Sequence, residues 1–362
     1  MKMALQKKQR FIVIGSVAVV VAAGIGIGAY YGRTSDTIGP IEGAQGLTTL
    51  KDGGFDAAAS GKKVITLKTD TKKNCSSTPW VIAEKKGFFA AEGLEIKYTG
   101  ELTTAQRLPS VLNGTNDIGG ALPNALATFV AGGAKIKAVT LGEVDPPSSV
   151  DPKFRHMRFV GGEKLAGKTL KEFVESKKGA KITVSGTAPS CNTFILNQIF
   201  KNAGLDPSQI EYVAFESDTA AIQAVQQGNL DIAGIHPPFY KLANDSKLTL
   251  FADSADTGLG AASGVSTYYF TDKFIQENPE AVQRFVTAIK KAQDWINDNT
   301  DESIKLTAEY IGQPVNATHY FFEEKTLPTQ LLQPWIDDLV QSGALKKDQV
   351  KIDDLITSQF NI

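Results

Sequence analysis

NCSSTPWVIAEKKGFFAAEGL, residues 74–94, reads as a polar loop that feeds a helix and stops at a glycine. Pro79 stands at the first helical position, where its missing N–H costs nothing, and Ser77 and Thr78 are candidate caps. A helix begun this way directs unpaired backbone N–H groups out of its N-terminus, and such an end favours an anionic group. Alone, the stretch is an ordinary capped helix. A second stretch of the same kind makes it one half of a site.

That second stretch is found through a repeat. VLNGTNDIGGALP (residues 111–123) lies on VQQGNLDIAGIHP (225–237) without a gap, with six identities in thirteen positions. Val111, Gly114, Asp117, Ile118, Gly120 and Pro123 meet Val225, Gly228, Asp231, Ile232, Gly234 and Pro237. Upstream, the helix ending before Gly93-Leu94 corresponds to a helix starting near Cys191 and ending before Gly204-Leu205. The loop 74–78 therefore corresponds to the loop 185–189. Each half offers a polar loop entering a helix and a second helix opened by proline.

Around these stretches, short apolar runs alternate with helical periodicity. Strands are expected at 63–69, 94–98, 117–121, 136–141, 181–184, 211–215, 231–235, 248–251 and 266–270, which indicates α/β architecture with largely parallel sheets. Pro109 marks an expected irregularity inside a helix at 103–112. Helices at 278–297, 301–310 and 331–342 follow the last strand. Val282, Phe285, Val286 and Ile289 repeat at i, i+3, i+4, i+7 and form an apolar face. The terminal helices are expected to cover the first lobe. The lobes read as 63–143 with 264–362, and 144–263.

The N-terminus differs. Residues 1–10 are a basic flank, and 11–31 form an uncharged apolar run of about 21 residues, ~32 Å as a helix, enough to span a bilayer. Length favours an uncleaved signal-anchor, with Val21-Ala22-Ala23 as the alternative cleavage point of a signal peptide. Either way the rest of the chain is expected outside the cytoplasm, at the outer face of the membrane or in the periplasm. Residues 32–62, rich in Gly, Ala, Ser and Thr, read as a flexible linker. The 362 residues carry 42% hydrophobic and 21% charged side chains with a net charge of −1. That composition suits a soluble two-domain body and argues against nucleic acid as a partner.

PWVIAEKKGFFAAEGLEI, the NGTNDIG block at 113–119, LAGKT at 165–169, the run from Gly204 to QQGNLDIA, and TDKFIQENPEAVQRF at 271–285 resemble the nitrate/sulfonate/taurine-type substrate-binding proteins of ABC importers. The resemblance covers residues 64–306. It implies a two-lobe periplasmic-binding-protein fold of type II, preceded here by the membrane-spanning or signal helix, with ligand-driven closure and delivery to a membrane permease. The chain departs from the family where an acidic-Pro-Phe motif is usual and His236-Pro237-Pro238-Phe239 stands instead. A monomer without cofactor is expected.

The candidate ligand residues are Asn74, Cys75, Ser76, Ser77, Trp80 and Asn124 in the first lobe. In the second they are Thr187, Ser190, Cys191, Asn192, Asp218, His236 and Phe239. Hydroxyls and helix N–H groups suit a sulfonate, nitrate or carboxylate. Glu216 and Asp218 would pair with an amine and favour a taurine-like zwitterion. Trp80 packs either on ligand or in the core, and Asp218 is alternatively the N-cap of a helix at Thr219. Cys75 and Cys191 are buried thiols, a disulfide across the cleft, or direct ligand contacts. His156 and His319 read as surface or internally satisfied. The three histidines have no Cys or acid neighbours at metal-ligand spacing, so a metal site is not expected. No Ser/His/Asp set or acid pair calls for catalysis. The alternatives are a thiamine-pyrimidine-precursor binder and an enzyme of the same fold. The related thiamine-pyrimidine synthase has a cysteine-rich motif, whereas the loop here holds one cysteine.

Overall fold

A computed structural model describes residues 54–74, 76–187, 189–323 and 327–362. The basic flank, the apolar run, most of the linker and Cys75 lie outside the described residues. Among the described residues, no helix is long and apolar enough to cross a membrane. The linker assignment runs too far toward the C-terminus. Ala57–Ser60 form a short 3-10 turn capped by the Asp56 carboxylate, and Ala57 is buried.

The first half begins with β1 (Ile65–Thr69), the polar loop, and α1 (Thr78–Lys85). The single helix expected from sequence breaks at Gly87, whose φ of 74° ends α1 and starts α2 (Phe88–Ala91). β2 (Leu94–Tyr98), α3 (Thr104–Leu112), β3 (Gly119–Ala121), α4 (Pro123–Ala131), β4 (Ile136–Leu141) and β5 (Glu143–Val144) follow. Pro109 sits inside α3 without ending it. The second half holds β6 (Arg158–Gly161), α5 (Leu170–Ser176), β7 (Ile182–Ser185), α6 (Cys191–Asn202), β8 (Ile210–Val213), α7 (Asp218–Gln226), β9 (Ile232–Ile235), α8 (Tyr240–Asp245) and β10 (Thr249–Asp253). The chain then returns through β11 (Thr267–Thr271) to α9 (Asp272–Glu277), α10 (Pro279–Asp298), α11 (Thr300–Ile311), β12 (Tyr320–Phe321), α12 (Gln333–Gln341) and α13 (Ile352–Leu355).

The two halves repeat one sheet order. β1 pairs with β2 in parallel, and the Asp117 and Ile118 N–H groups, just before β3, donate to the Lys68 carbonyl. β3, β11 and β4 form a three-stranded sheet of their own, joined to β1 through that carbonyl. The second sheet runs β10-β6-β9-β7-β8. In each, one strand is antiparallel to both neighbours: β11 in the first, β6 in the second. Each of these strands enters its sheet just after the chain has crossed between halves. The sheets are therefore mixed rather than simply parallel, and β6 was not apparent in the sequence.

The aligned repeat has matching geometry. Gly114 and Gly228 both have φ of 75°, a left-handed turn that glycine adopts without Cβ strain. Asp117 Oδ2 accepts the Lys68 N–H at 2.8 Å, and Asp231 Oδ2 accepts the Thr183 N–H at 3.0 Å. Each aspartate thus ties its own strand to the strand beside it. Burial acts to raise the Asp231 carboxyl, but hydrogen bonds from Lys177 and Thr183 outweigh it and leave it below its ordinary value.

The apolar face predicted on α10 is the spine of the first core: Val282, Phe285, Val286 and Ile289 are all buried. Trp80 packs in the same cluster, edge-on to Tyr268 and tilted against Phe285. α12 departs from expectation. Its Ile336 and Leu339 pack with β4, but Trp335 stacks on Phe194 of α6 at 3.8 Å and its Nε1 donates to the Ala262 carbonyl. This helix bridges both halves instead of covering one.

The crossings are joined by a buried carboxylate. Asp145 Oδ1 accepts the His156 N–H at 2.9 Å and the Ser254 hydroxyl, and Oδ2 meets Arg155 at 3.2 Å. Burial holds its pKa above the usual carboxylate range. The two segments approach so closely at Gly264 that a Cβ there would lie 2.5 Å from the His156 Cβ.

Candidate functional site

A cleft of about 380 Å³ opens between the two sheets, the size of a small-molecule pocket. Asn74, Ser76 and α3 form one wall, and the N-termini of α6 and α7 form the other. Of the candidate residues, Asn74, Ser76, Thr187, Ser190, Cys191, Asn192, Asp218 and His236 line it. The remaining candidates lie elsewhere. Trp80 is 3% exposed in the first core, because the one wide apolar face of α1 is needed against α10. Phe239 is buried in a second-half cluster with Ile222 and Tyr240. Ser77 is buried, and its hydroxyl donates to the Asn74 carbonyl at 2.8 Å. Asn124 is buried behind the cleft, and its Nδ2 reaches the Ser190 carbonyl at 3.4 Å, linking the start of α4 to that of α6. Cys75 lies outside the described residues.

Asp218 is not the helix cap. Ser217 takes that role, its Oγ accepting the Ala220 N–H. The Asp218 carboxylate instead receives both the backbone N–H and Nδ1 of His236, each at 2.8 Å. With Nδ1 held there, His236 turns Nε2 toward the Cys191 sulfur at 3.3 Å. Cys191 is a half-buried free thiol at the first position of α6. Asn192 locks the same loop: its Nδ2 donates to the Ser185 carbonyl at 2.9 Å.

The histidines overturn their sequence assignment. His156 and His319 are 1% and 2% exposed, and all four of their ring nitrogens are buried without a hydrogen-bond partner among the described residues. Their rings stack at 4.6 Å, and His236 stands nearly edge-on to both. Burial lowers both imidazoles well below their usual pKa, with neighbouring histidines adding to the effect. Glu143 lies beside them, and burial raises its carboxyl despite a hydrogen bond from Ser266. Spacing along the chain could not show this cluster, because each member comes from a different crossing or strand end.

Several lining residues were missed. Asp70 and Lys72 pair at 2.6 Å, and burial lowers the Lys72 ammonium although Asp70 acts in the opposite sense. Lys72 also donates to Thr69 Oγ1 and the Asp70 carbonyl, which uses its three protons. Arg107 faces Asp70 at 3.6 Å, and its side chain is 37% exposed. Phe129 and Phe215 supply half-buried aromatic surface, with the buried Tyr268 and Tyr269 behind. Two lysines in DTKKNCSS, immediately before the predicted ligand loop, were the available signal for Lys72.

Residues 60–312 match the NMT1-like family, and the chain belongs to it. A curated relative is a 4-amino-5-hydroxymethyl-2-methylpyrimidine phosphate synthase of Saccharomyces cerevisiae, 26% identical over 247 residues, 64% of this chain and 66% of the relative. The chain thus spans just under two thirds of the length of that relative. Among solved structures, the periplasmic aliphatic sulphonate binding protein SsuA of Escherichia coli superposes with a TM-score of 0.61 at 21% identity, covering 81% of this chain and 92% of SsuA. The periplasmic nitrate-binding protein NrtA of Synechocystis PCC 6803 gives 0.65 at 14% identity, covering 82% and 87%. At these identities the likeness is one of fold: this is an α/β periplasmic-binding-protein fold.

Proposed function

We propose that this chain is the extracytoplasmic solute-binding component of an ABC importer, tethered by its N-terminal helix, and that it delivers its ligand to a membrane permease. Lobes 63–143 with 264–362, and 144–263, close on the ligand about the Asp145-linked crossings. Ligand contacts to both walls favour the closed state. The neighbours named as sulfonate and nitrate binders support this reading, and no catalytic step is assigned.

The observation that carries the ligand class is the unequal charge of the two walls. Arg107, with donors beyond those facing Asp70, and the polar loop 74–76 suit an oxyanion. Glu216 and Asp218 on the other wall suit an amine. A taurine-like zwitterion, an oxyanion and an amine on one short scaffold, satisfies both walls, with Ser190 and Thr187 beside it. The second reading is an aminopyrimidine of the thiamine-precursor class. The half-buried aromatic rings of Phe129 and Phe215 in the lining and the name of the yeast relative favour it.

Thermal unfolding of the full chain, in chelator, against taurine, ethanesulfonate, nitrate and an aminopyrimidine separates these. A true ligand at 100 times its Kd stabilises by about 2.7 kcal/mol. Taurine is expected to shift the transition most. Ethanesulfonate acting equally would remove the amine contact, and a shift by the aminopyrimidine alone would select the second reading.

A further inference from the structure

The histidine cluster calls for a ligand of its own. Three imidazoles, a thiol and a carboxylate converge in one place. The candidate ligand atoms of His156, Cys191 and His236 all lie within 4.8 Å of one another, and so do those of Glu143, His156 and His319. A simple S–H···N hydrogen bond accounts for Cys191 and His236 at 3.3 Å. It does not account for His156 and His319, whose buried ring nitrogens find no partner among the described residues. Polar groups left so cost stability unless something satisfies them.

The geometry points to a metal site on the cleft floor: His156, Cys191 and His236 hold one divalent ion of the zinc class, with a fourth position open to the cleft. Ligand atoms around four-coordinate zinc lie about 3.4–3.6 Å apart, given bonds of ~2.0–2.3 Å, so the Cys191–His236 pair is already close to that spacing. Mixed imidazole and thiolate donors select zinc or copper over magnesium or calcium. The support behind the site has the expected form. Asp218 receives Nδ1 of His236 at 2.8 Å, the carboxylate–histidine arrangement that fixes the tautomer of a metal-binding imidazole. Glu143 and His319 offer atoms within 4.8 Å of those of His156, close enough to orient its ring. All three ligands line the cleft, so the open position faces the space in which a solute would sit. On binding, Cys191 loses its thiol proton to solvent and the imidazoles bind as neutral donors. This inference goes beyond the solute-binding reading and does not depend on it.

The full chain, stripped with chelator and desalted, is titrated with zinc chloride and, separately, with cobalt(II), with no solute present. One zinc per chain is expected. Cobalt is expected to show four-coordinate visible bands and a thiolate charge-transfer band. The charge-transfer band should persist in Cys75→Ser and disappear in Cys191→Ser. Outer-sphere partners typically change metal affinity by ~10–100-fold, so Asp218→Asn is expected in that range and loss of the Cys191 ligand at about 100-fold or more. Unfolding curves in chelator check that each variant folds. If a variant does not, zinc protection of the Cys191 thiol from alkylation in the Cys75→Ser chain supplies the same answer. Absence of saturable zinc binding, or zinc affinity unchanged in Cys191→Ser, overturns the proposal. Because the solute panel is run in chelator, failure of either reading leaves the other separately decided.

Discussion

The loops at 74–77 and 185–190 precede helices of the same kind, yet their polar groups do different work. In the first, Asn74 Oδ1 accepts the Ser76 N–H and Ser77 donates back to the Asn74 carbonyl, so the loop closes on itself. Ser77 makes no side-chain cap, and Trp80 and its neighbours on α1 are buried in the core. In the second, Ser190 caps Thr193 in a capping box, and Asn192 ties the helix start to β7. That leaves Cys191 facing the cleft. The first half therefore brings the Arg107 guanidinium to the cleft, and the second brings the Glu216 and Asp218 carboxylates, His236 and the Cys191 thiol. Equivalent backbones carry inequivalent chemistry, which suits a ligand with two unlike ends.

The sharpest way to break this comparison is Trp80→Ala. A core position predicts a loss of about 3–5 kcal/mol in denaturant unfolding. A loss under about 1 kcal/mol together with abolished solute binding would return Trp80 to the ligand wall. Asp231→Ala is expected to cost about 1.5–3 kcal/mol, the usual value for hydrogen bonds to a charged group, and Asp117→Ala a comparable amount. A large difference between them would mean that the repeated motif is not mechanically equivalent in the two halves. The Asp231 effect also has a pH signature. Its folded carboxyl lies below the unfolded value of ~3.9, so its stabilisation is complete above that pH and fades as pH falls through the folded pKa. Urea midpoints of wild type and Asp231→Asn from pH 7 to pH 3 should therefore converge under acid.

The smallest expected effects concern the caps. Ser190→Ala should lose about 1 kcal/mol, and Ser190→Asn should recover most of it. Ser77→Asp, favourable at a working cap, should instead destabilise, because its carboxylate would face the Asn74 carbonyl. Thermal unfolding of the three variants reads this directly. Stabilisation by Ser77→Asp would show that the two helix starts are alike after all.

Much of the fold was legible because it rests on local pattern. The α10 face, the glycine turns at 114 and 228, and the paired aspartates each declare themselves within a few residues. The two polar loops that line the cleft were legible for the same reason. Trp80 and Phe239 were misplaced because an aromatic beside a loop carries no local sign of which way it faces. His156 and His319 were misread because their neighbours arrive from 80 or more positions away in several cases, as with His236, 80 residues beyond His156.

By itself, the sequence determined an α/β chain built from a doubled loop–helix motif, and the family to which its middle 253 residues belong, residues 60–312. Only the tertiary structure decided that β6 and β11 run against their neighbours and that α12 bridges both halves. It alone also brought three histidines and Cys191 to one floor. The reason is physical: hydrophobic period and turn chemistry act over one or two turns of chain, whereas a cleft floor is made where distant crossings are packed together.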